Sequence, residues 1–244
     1  MGEGERLAQA LEALKATHFD AAGSAGDYAA LARSREQAEL AAALSALEGV
    51  DPKRLSIPWQ TAFWLNAYNA CVLRDHAEIG GGGFFARQRL RIAGHAWALD
   101  DIEHGLLRGN VAKPGSLMAP MKKSDPRLAF TPPAYEERVH FALHCGSRSS
   151  PPLRVFRGTT LEADLDGAVR EYLSATVRVE DEEFRVKLRL PKILDWYAGD
   201  FGGRSGVVRF VLGRLDDEVA DLVDRRAGRV KVKFFDFDWT LNQR

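Results

Sequence analysis

Apolar positions recur along this chain at helical spacing first and at strand spacing later, and the change of period marks its elements. Leu7, Leu11 and Leu14 fall on one helix face, and an alanine-rich stretch over residues 36–47 continues the helical bias. Residues 1–55 are expected to form a helical N-terminal extension. Ser56-Ile57-Pro58 then gives a start signal, a capping-type serine followed by a proline suited to a first helical turn. Over residues 59–73 apolar side chains occupy nearly every face, which predicts a helix buried at the centre of the protein.

Strand spacing follows. Leu90, Ile92, Ala96 and Ala98 alternate with Arg91, His95 and Trp97 around Gly94, the pattern of a hairpin. Asp100-Asp101 is placed to cap a short helix over 102–108, and the proline-, lysine- and glycine-rich residues 109–133 read as a long surface loop. Residues 139–145 predict a strand, 159–174 an amphipathic helix, and 177–188 a second hairpin with an acidic tip at 180–183. A short helix over 193–197, one helical stretch over 207–223 and a closing strand over 230–235 complete the chain. Helices and strands alternate without βαβ regularity, which favours an α+β fold. The expected architecture is a single domain with a buried central helix packed on a mostly antiparallel sheet, residues 56–244 forming one unit with the extension.

Composition narrows the function classes. Of 244 residues, 34 are Lys or Arg and 34 are Asp or Glu, so the formal charge cancels and no global basic excess points to nucleic acid or an anionic membrane. Arginines are dense only locally, at Arg87, Arg89 and Arg91. Two cysteines, Cys71 and Cys145, allow one bridge but no disulfide framework. Residues 1–19 are charged and amphipathic, without the apolar run of a secretory signal, and no stretch approaches the roughly 20 apolar residues of a membrane span. A cytoplasmic location is expected, with a periplasmic or secreted one if a leader has been removed. The glycine run at 80–83 lacks the Lys-Ser or Lys-Thr of a phosphate loop, and the six histidines show no metal-binding spacing, so neither metal nor cofactor is expected.

Three segments could carry chemistry. In the first, His140 to Leu153, a strand-like run meets Ser149-Ser150-Pro151-Pro152. Proline excludes helical geometry from the residue before it and suits a first helical turn, so Ser150 is placed like a helix N-cap, where amides and the helix dipole favour a developing negative charge. A thiol there would be activated, whereas a serine gains much less. The bland alternative is that Ser149 and Ser150 cap a turn. In the second segment His104 is a candidate general base with Glu103 or Asp101 to orient it, and His140 competes for the role. In the third, Asn66 and Asn69 share one face of the central helix. They either polarise a substrate carbonyl or fix a loop backbone against that helix.

The segments 63–70, 101–108, 140–153 and 191–201, together with Phe237-Asp238-Trp239-Thr240-Leu241-Asn242, resemble in their order the bacterial and plant family called domain of unknown function 547. The resemblance covers residue 57 to the C-terminus. Its pattern of histidine, asparagine and a cysteine before Pro-Pro is similar to a papain- or transglutaminase-type thiol site, by analogy. The family commonly reads Ser-Cys-Pro-Pro where this chain has Ser149-Ser150-Pro151-Pro152, so turnover through Ser150 is expected to be very weak. What the resemblance implies is a thiol hydrolase or transferase acting on an amide or thioester of a small peptide-like substrate. Position 150 would be the nucleophile, His104 the base with His140 in reserve, and Glu103 the orienting acid. Asn66, Asn69 and the amides near Ser149 would hold the oxyanion, with Arg148 and Cys145 beside the substrate. The alternative is a non-enzymatic module that binds a peptide or protein in the same cleft.

Overall fold

The computed structural model describes residues 2–80, 83–133, 135–226 and 228–244. Gly81 and Gly82 of the glycine run lie outside the described residues. Helices α1 (Glu3–His18), α2 (Tyr28–Leu31) and α3 (Arg35–Ala46) precede the central helix α4 (Ile57–Glu78). Pro58 occupies the first turn of α4, where its missing N–H breaks no helical bond, but Ser56 makes no capping hydrogen bond through its side chain. Every residue of α4 from Gln60 to Leu73 is buried. Leu7, Leu11 and Leu14 of α1 and Leu40 and Leu44 of α3 share one core with Trp64 of α4, so the N-terminal helices pack as part of the same body.

The hairpin forms where the alternation places it, with β1 (Leu90–Ile92) antiparallel to β2 (His95–Trp97). Ala93 and Gly94 at its tip both have positive φ, 51° and 75°, the two-residue turn whose twist matches that of the strands. Trp97 packs on Trp64 at 4.9 Å between ring centroids. Residues Asp101–Leu107 wind as a wide π-helix, and the Arg108 N–H reaches back five residues to the Glu103 carbonyl at 3.0 Å. The long loop that follows contains a 3₁₀ turn, Pro126–Phe130, which buries Phe130 against Trp64 and Trp97.

The strand expected over 139–145 does not form. Its place is taken by a 3₁₀ turn, Glu137–Phe141, capped by the Glu136 carboxylate, and by an irregular run after it. The reason is on α4: Asn69 takes the Ala142 carbonyl and the His144 N–H, groups that a neighbouring strand would otherwise pair.

The second half contributes α5 (Leu161–Thr176), β3 (Arg178–Glu182), β4 (Arg185–Leu190), α6 (Ile193–Trp196), a 3₁₀ turn Ala198–Phe201, α7 (Arg204–Leu212), α8 (Asp217–Arg225) and β5 (Val230–Phe234). The single helical stretch expected over 207–223 is two helices, with Gly213 ending α7 and a turn through Leu215 before α8. β3 pairs antiparallel with β4, and β4 pairs parallel with β5. This sheet packs with α5 and α7 around a second core of Val169, Leu173, Leu188, Leu190 and Val211. The fold is α+β in one domain, as expected, but α4 sits among α1, α3, α5 and the hairpin, while the larger sheet belongs to the second core. Phe141 is in that second core and Ala142 and Leu143 in the first, so the chain crosses the seam between them there.

Candidate active site

Beside the seam, two asparagines of α4 hold the chain that follows it. Asn66 donates from Nδ2 to the Phe156 carbonyl at 2.8 Å and accepts from the Phe156 N–H at 2.9 Å. Asn69 donates to the carbonyls of Ala142 and Arg154 and accepts from the His144 N–H. Both are buried and bonded through Nδ2 and Oδ1 to backbone, as the loop-fixing alternative expected, and neither lines the cavity described below. The segment after Pro152 consequently runs extended along α4, and its Leu153 N–H bonds to the Gly23 carbonyl. No helix begins at Ser150; the next one starts at Leu161.

That placement lacks the helix start expected at Ser150 and gives its hydroxyl a turn-closing role. Its Oγ accepts from the Cys145 N–H at 2.8 Å and donates to the Pro151 carbonyl at 3.1 Å, closing a turn. The histidine beside it is neither His104 nor His140 but His144, with Nδ1 at 3.3 Å. Nδ1 of His144 donates to the Pro151 carbonyl at 2.8 Å, so it has no lone pair for the serine proton. Burial, against the opposing pull of that carbonyl, pushes the His144 pKa down to about 4. Ser149 is likewise structural: its Oγ accepts from the Asp238 N–H and its carbonyl from the Tyr172 hydroxyl. Arg148 is exposed and hydrogen-bonds through its backbone N–H to Thr240.

Beside this turn lies a largely apolar cavity of about 500 Å³. Cys145, Gly146 and Ser147 form one edge, with Cys145 Sγ 3.2 Å from Ser147 Oγ. Gly146 is required there: its φ is +78°, and a Cβ would stand 2.4 Å from Nε2 of His76, which donates to the Cys145 carbonyl. Trp196, Phe237, Trp239 and Leu241 make an aromatic and aliphatic wall. The segment carrying the last three is pinned across the turn by backbone bonds from Arg148 to Thr240 and from Asn242 to Gly146.

Besides His76 and Ser147 at that edge, the polar groups of the cavity include Tyr68, Asp100, Glu103, His104, His140 and Tyr197. His140 donates from Nε2 to Asp200 Oδ2 at 2.9 Å, leaving Nδ1 as its basic nitrogen, and its ring stacks on Tyr197 at 3.9 Å. Arg108 grips Asp200 through two hydrogen bonds of 2.6 and 3.0 Å. Burial opposes ionisation of Asp200, but the bonds from His140 and Arg108 outweigh it and hold its pKa far below the carboxylate range. Glu103 accepts from the Tyr68 and Tyr197 hydroxyls at 3.0 and 2.6 Å and lies no closer than 3.9 Å to His104, so it is not the acid that orients His104. Burial opposes ionisation of Glu103, but the neighbouring His104, then the Tyr197 hydroxyl, His140 and the Tyr68 hydroxyl, lower its pKa overall.

His104 receives a hydrogen bond from Arg108 on Nδ1 at 3.0 Å, which puts its proton on Nε2, 4.0 Å from Asp100. Burial, helped by Arg108 and opposed by Glu103, lowers its pKa. A neutral imidazole whose lone pair is occupied donates hydrogen bonds and does not take protons. His140, by contrast, keeps Nδ1 unengaged and is oriented by Asp200, a residue inside the segment 191–201 that carried no expected task.

The thiols differ sharply. Both are free, and burial pushes Cys71 up to about 12, while Cys145 lines the cavity. The local arginines are not a free basic patch, since Arg89 pairs with Asp75 and Glu78 and Arg91 with Glu48. Among the described residues no three His, Cys, Asp or Glu side chains converge as metal ligands, and no helix is long and apolar enough to cross a membrane.

The family described as protein of unknown function, DUF547, matches residues 52–173, half of the chain. The chain belongs to that family. No curated protein and no solved structure matches it.

Proposed function

We propose, from that membership and the cavity's geometry, that the protein is a thiol-dependent acyl hydrolase or transferase whose nucleophile is Cys145. The observation that supports it is the sharing of one cavity by Cys145 and a histidine, His140, that is oriented by Asp200. His140 Nδ1 accepts the thiol proton as Sγ bonds to the carbonyl carbon of an amide or thioester. The Nε2–H of His104 is a preorganised donor for the oxyanion. The leaving amine or thiol takes the proton from His140 as its bond to carbon breaks; water or a second amine then attacks the acyl carbon, giving its proton to His140, and the C–S bond breaks as that proton returns to Cys145 Sγ. The small apolar cavity suits a short acyl or peptide-like group.

Iodoacetamide labelling followed by mass spectrometry tests this directly. Cys145 should label at neutral pH while Cys71 stays unmodified, and His140→Ala should slow the labelling by roughly tenfold or more. Ser150→Ala should leave the labelling rate within about twofold, because Ser150 supplies only a turn contact to the Cys145 amide. Equal, slow labelling of both cysteines would leave the cavity as a non-catalytic binding site for a small peptide segment, and labelling that collapses in Ser150→Ala would return the site to position 150.

A further inference from the structure

The polar floor of the cavity leaves one charge uncompensated. Asp200 is neutralised by Arg108, and Asp100 by Lys113. Glu103 accepts from two phenols, which solvate a carboxylate without neutralising it, and the ionisable ring of His104 stands 3.9 Å away. The nearby His104 has its lone pair on Arg108, and the Nε2–H of His140 is committed to Asp200. The Glu103 side chain is 13% exposed, so water screens it poorly, and a carboxylate in such surroundings is costly until a cation joins it.

The aromatic wall of the same cavity has the complementary chemistry. Trp196, Phe237 and Trp239 pack in a cluster with ring centroids 4.4–5.6 Å apart. Trp239 remains 64% exposed despite its size. Aromatic faces attract cations through their quadrupole, tryptophan most strongly. A cavity with one unneutralised carboxylate and a tryptophan-rich wall is matched to an organic cation more than to a neutral or anionic ligand.

Resting on the thiol reading above, we propose that the acyl substrate carries an alkylammonium group, held between Glu103 and the Trp196–Phe237–Trp239 wall while its carbonyl faces Cys145. The test uses the full chain with Cys145→Ala, so that binding is read without any reaction. Choline and its uncharged isostere 3,3-dimethyl-1-butanol are titrated against tryptophan fluorescence. Choline should bind about tenfold more tightly than the alcohol, and 3,3-dimethylbutyrate should bind more weakly than either. Glu103→Gln should erase the preference for choline while the alcohol still binds. Trp239→Ala, a change at an exposed side chain that leaves the core intact, should weaken choline more than the alcohol. Equal affinity for the two, no binding of either, tighter binding of the anion, or a preference that survives both substitutions would overturn the proposal. Cysteine labelling does not depend on this outcome, so the thiol reading and the ammonium reading fail separately.

Discussion

At the scale of single residues, the distance between a plausible sequence motif and a working site is set by where hydrogens go. Ser-Pro-Pro after an apolar run looks like a helix start, and nothing in those letters reveals that the Ser150 hydroxyl closes a turn on the Cys145 amide. The adjacent His144 illustrates a different burden. It is fully buried and neutral, with its pKa pushed down to about 4, whereas an unfolded chain offers an imidazole of about 6.5. Below that unfolded value the unfolded state takes up a proton that the native state refuses, so stability falls as pH drops from about 6.5 toward 4. His76 and His104 are depressed in the same direction by burial. We expect the unfolding free energy from urea titrations to fall by about 2 kcal/mol or more between pH 7 and pH 5. His144→Gln should flatten that slope. A stability that is level or rises over this interval would contradict the buried neutral histidine.

At the scale of elements, the sequence was most legible where periodicity alone decides. The central helix, the Gly94 hairpin, the second hairpin and the closing strand all stand close to where the pattern puts them. It failed over residues 139–145, where β-prone letters meet no partner strand because a side chain from α4 has already taken their backbone groups. Period-two patterning reports propensity and cannot report a competing side chain 73 to 75 residues away in the chain. The same blindness hid Asp200, whose role comes from its approach to His140 and Arg108 across the fold. The asparagines carry the stability prediction at this scale. Asn69→Ala strands one N–H and two carbonyls and should cost about 4 kcal/mol, while Asn66→Ala, which strands one of each, should cost less. Thermal melts of the two variants give the order. Equal and small losses would mean the loop is held by its own turns.

At the scale of the whole molecule, the family's motifs proved legible as a constellation before any of them was legible alone. Segments 101–108, 140–153 and 191–201 and the closing Phe237–Asn242 stretch do line one cavity, with His140, first read as the reserve base, and Cys145 both on its lining. The reason lies in the two cores. Cys145, Glu103 and His104 stand on or beside the first, while Trp196 and Tyr197 pack against the second and Asp200 stands on the turn beside them. The site is thus a joint, and joints have an order of failure. Proteins open in cooperative units before they unfold as a whole, and the unit of lower stability goes first. If the second core loosens on heating, Asp200 leaves His140 and Tyr197 leaves Glu103 while α1, α3 and α4 remain helical. Along a temperature ramp, the rate advantage of Cys145 in labelling should therefore vanish several degrees before far-ultraviolet ellipticity collapses, and coincident curves would show a single cooperative unit. If that order holds, warmth takes the cavity apart while α1, α3 and α4 are still helical, and the joint acts as a thermal fuse.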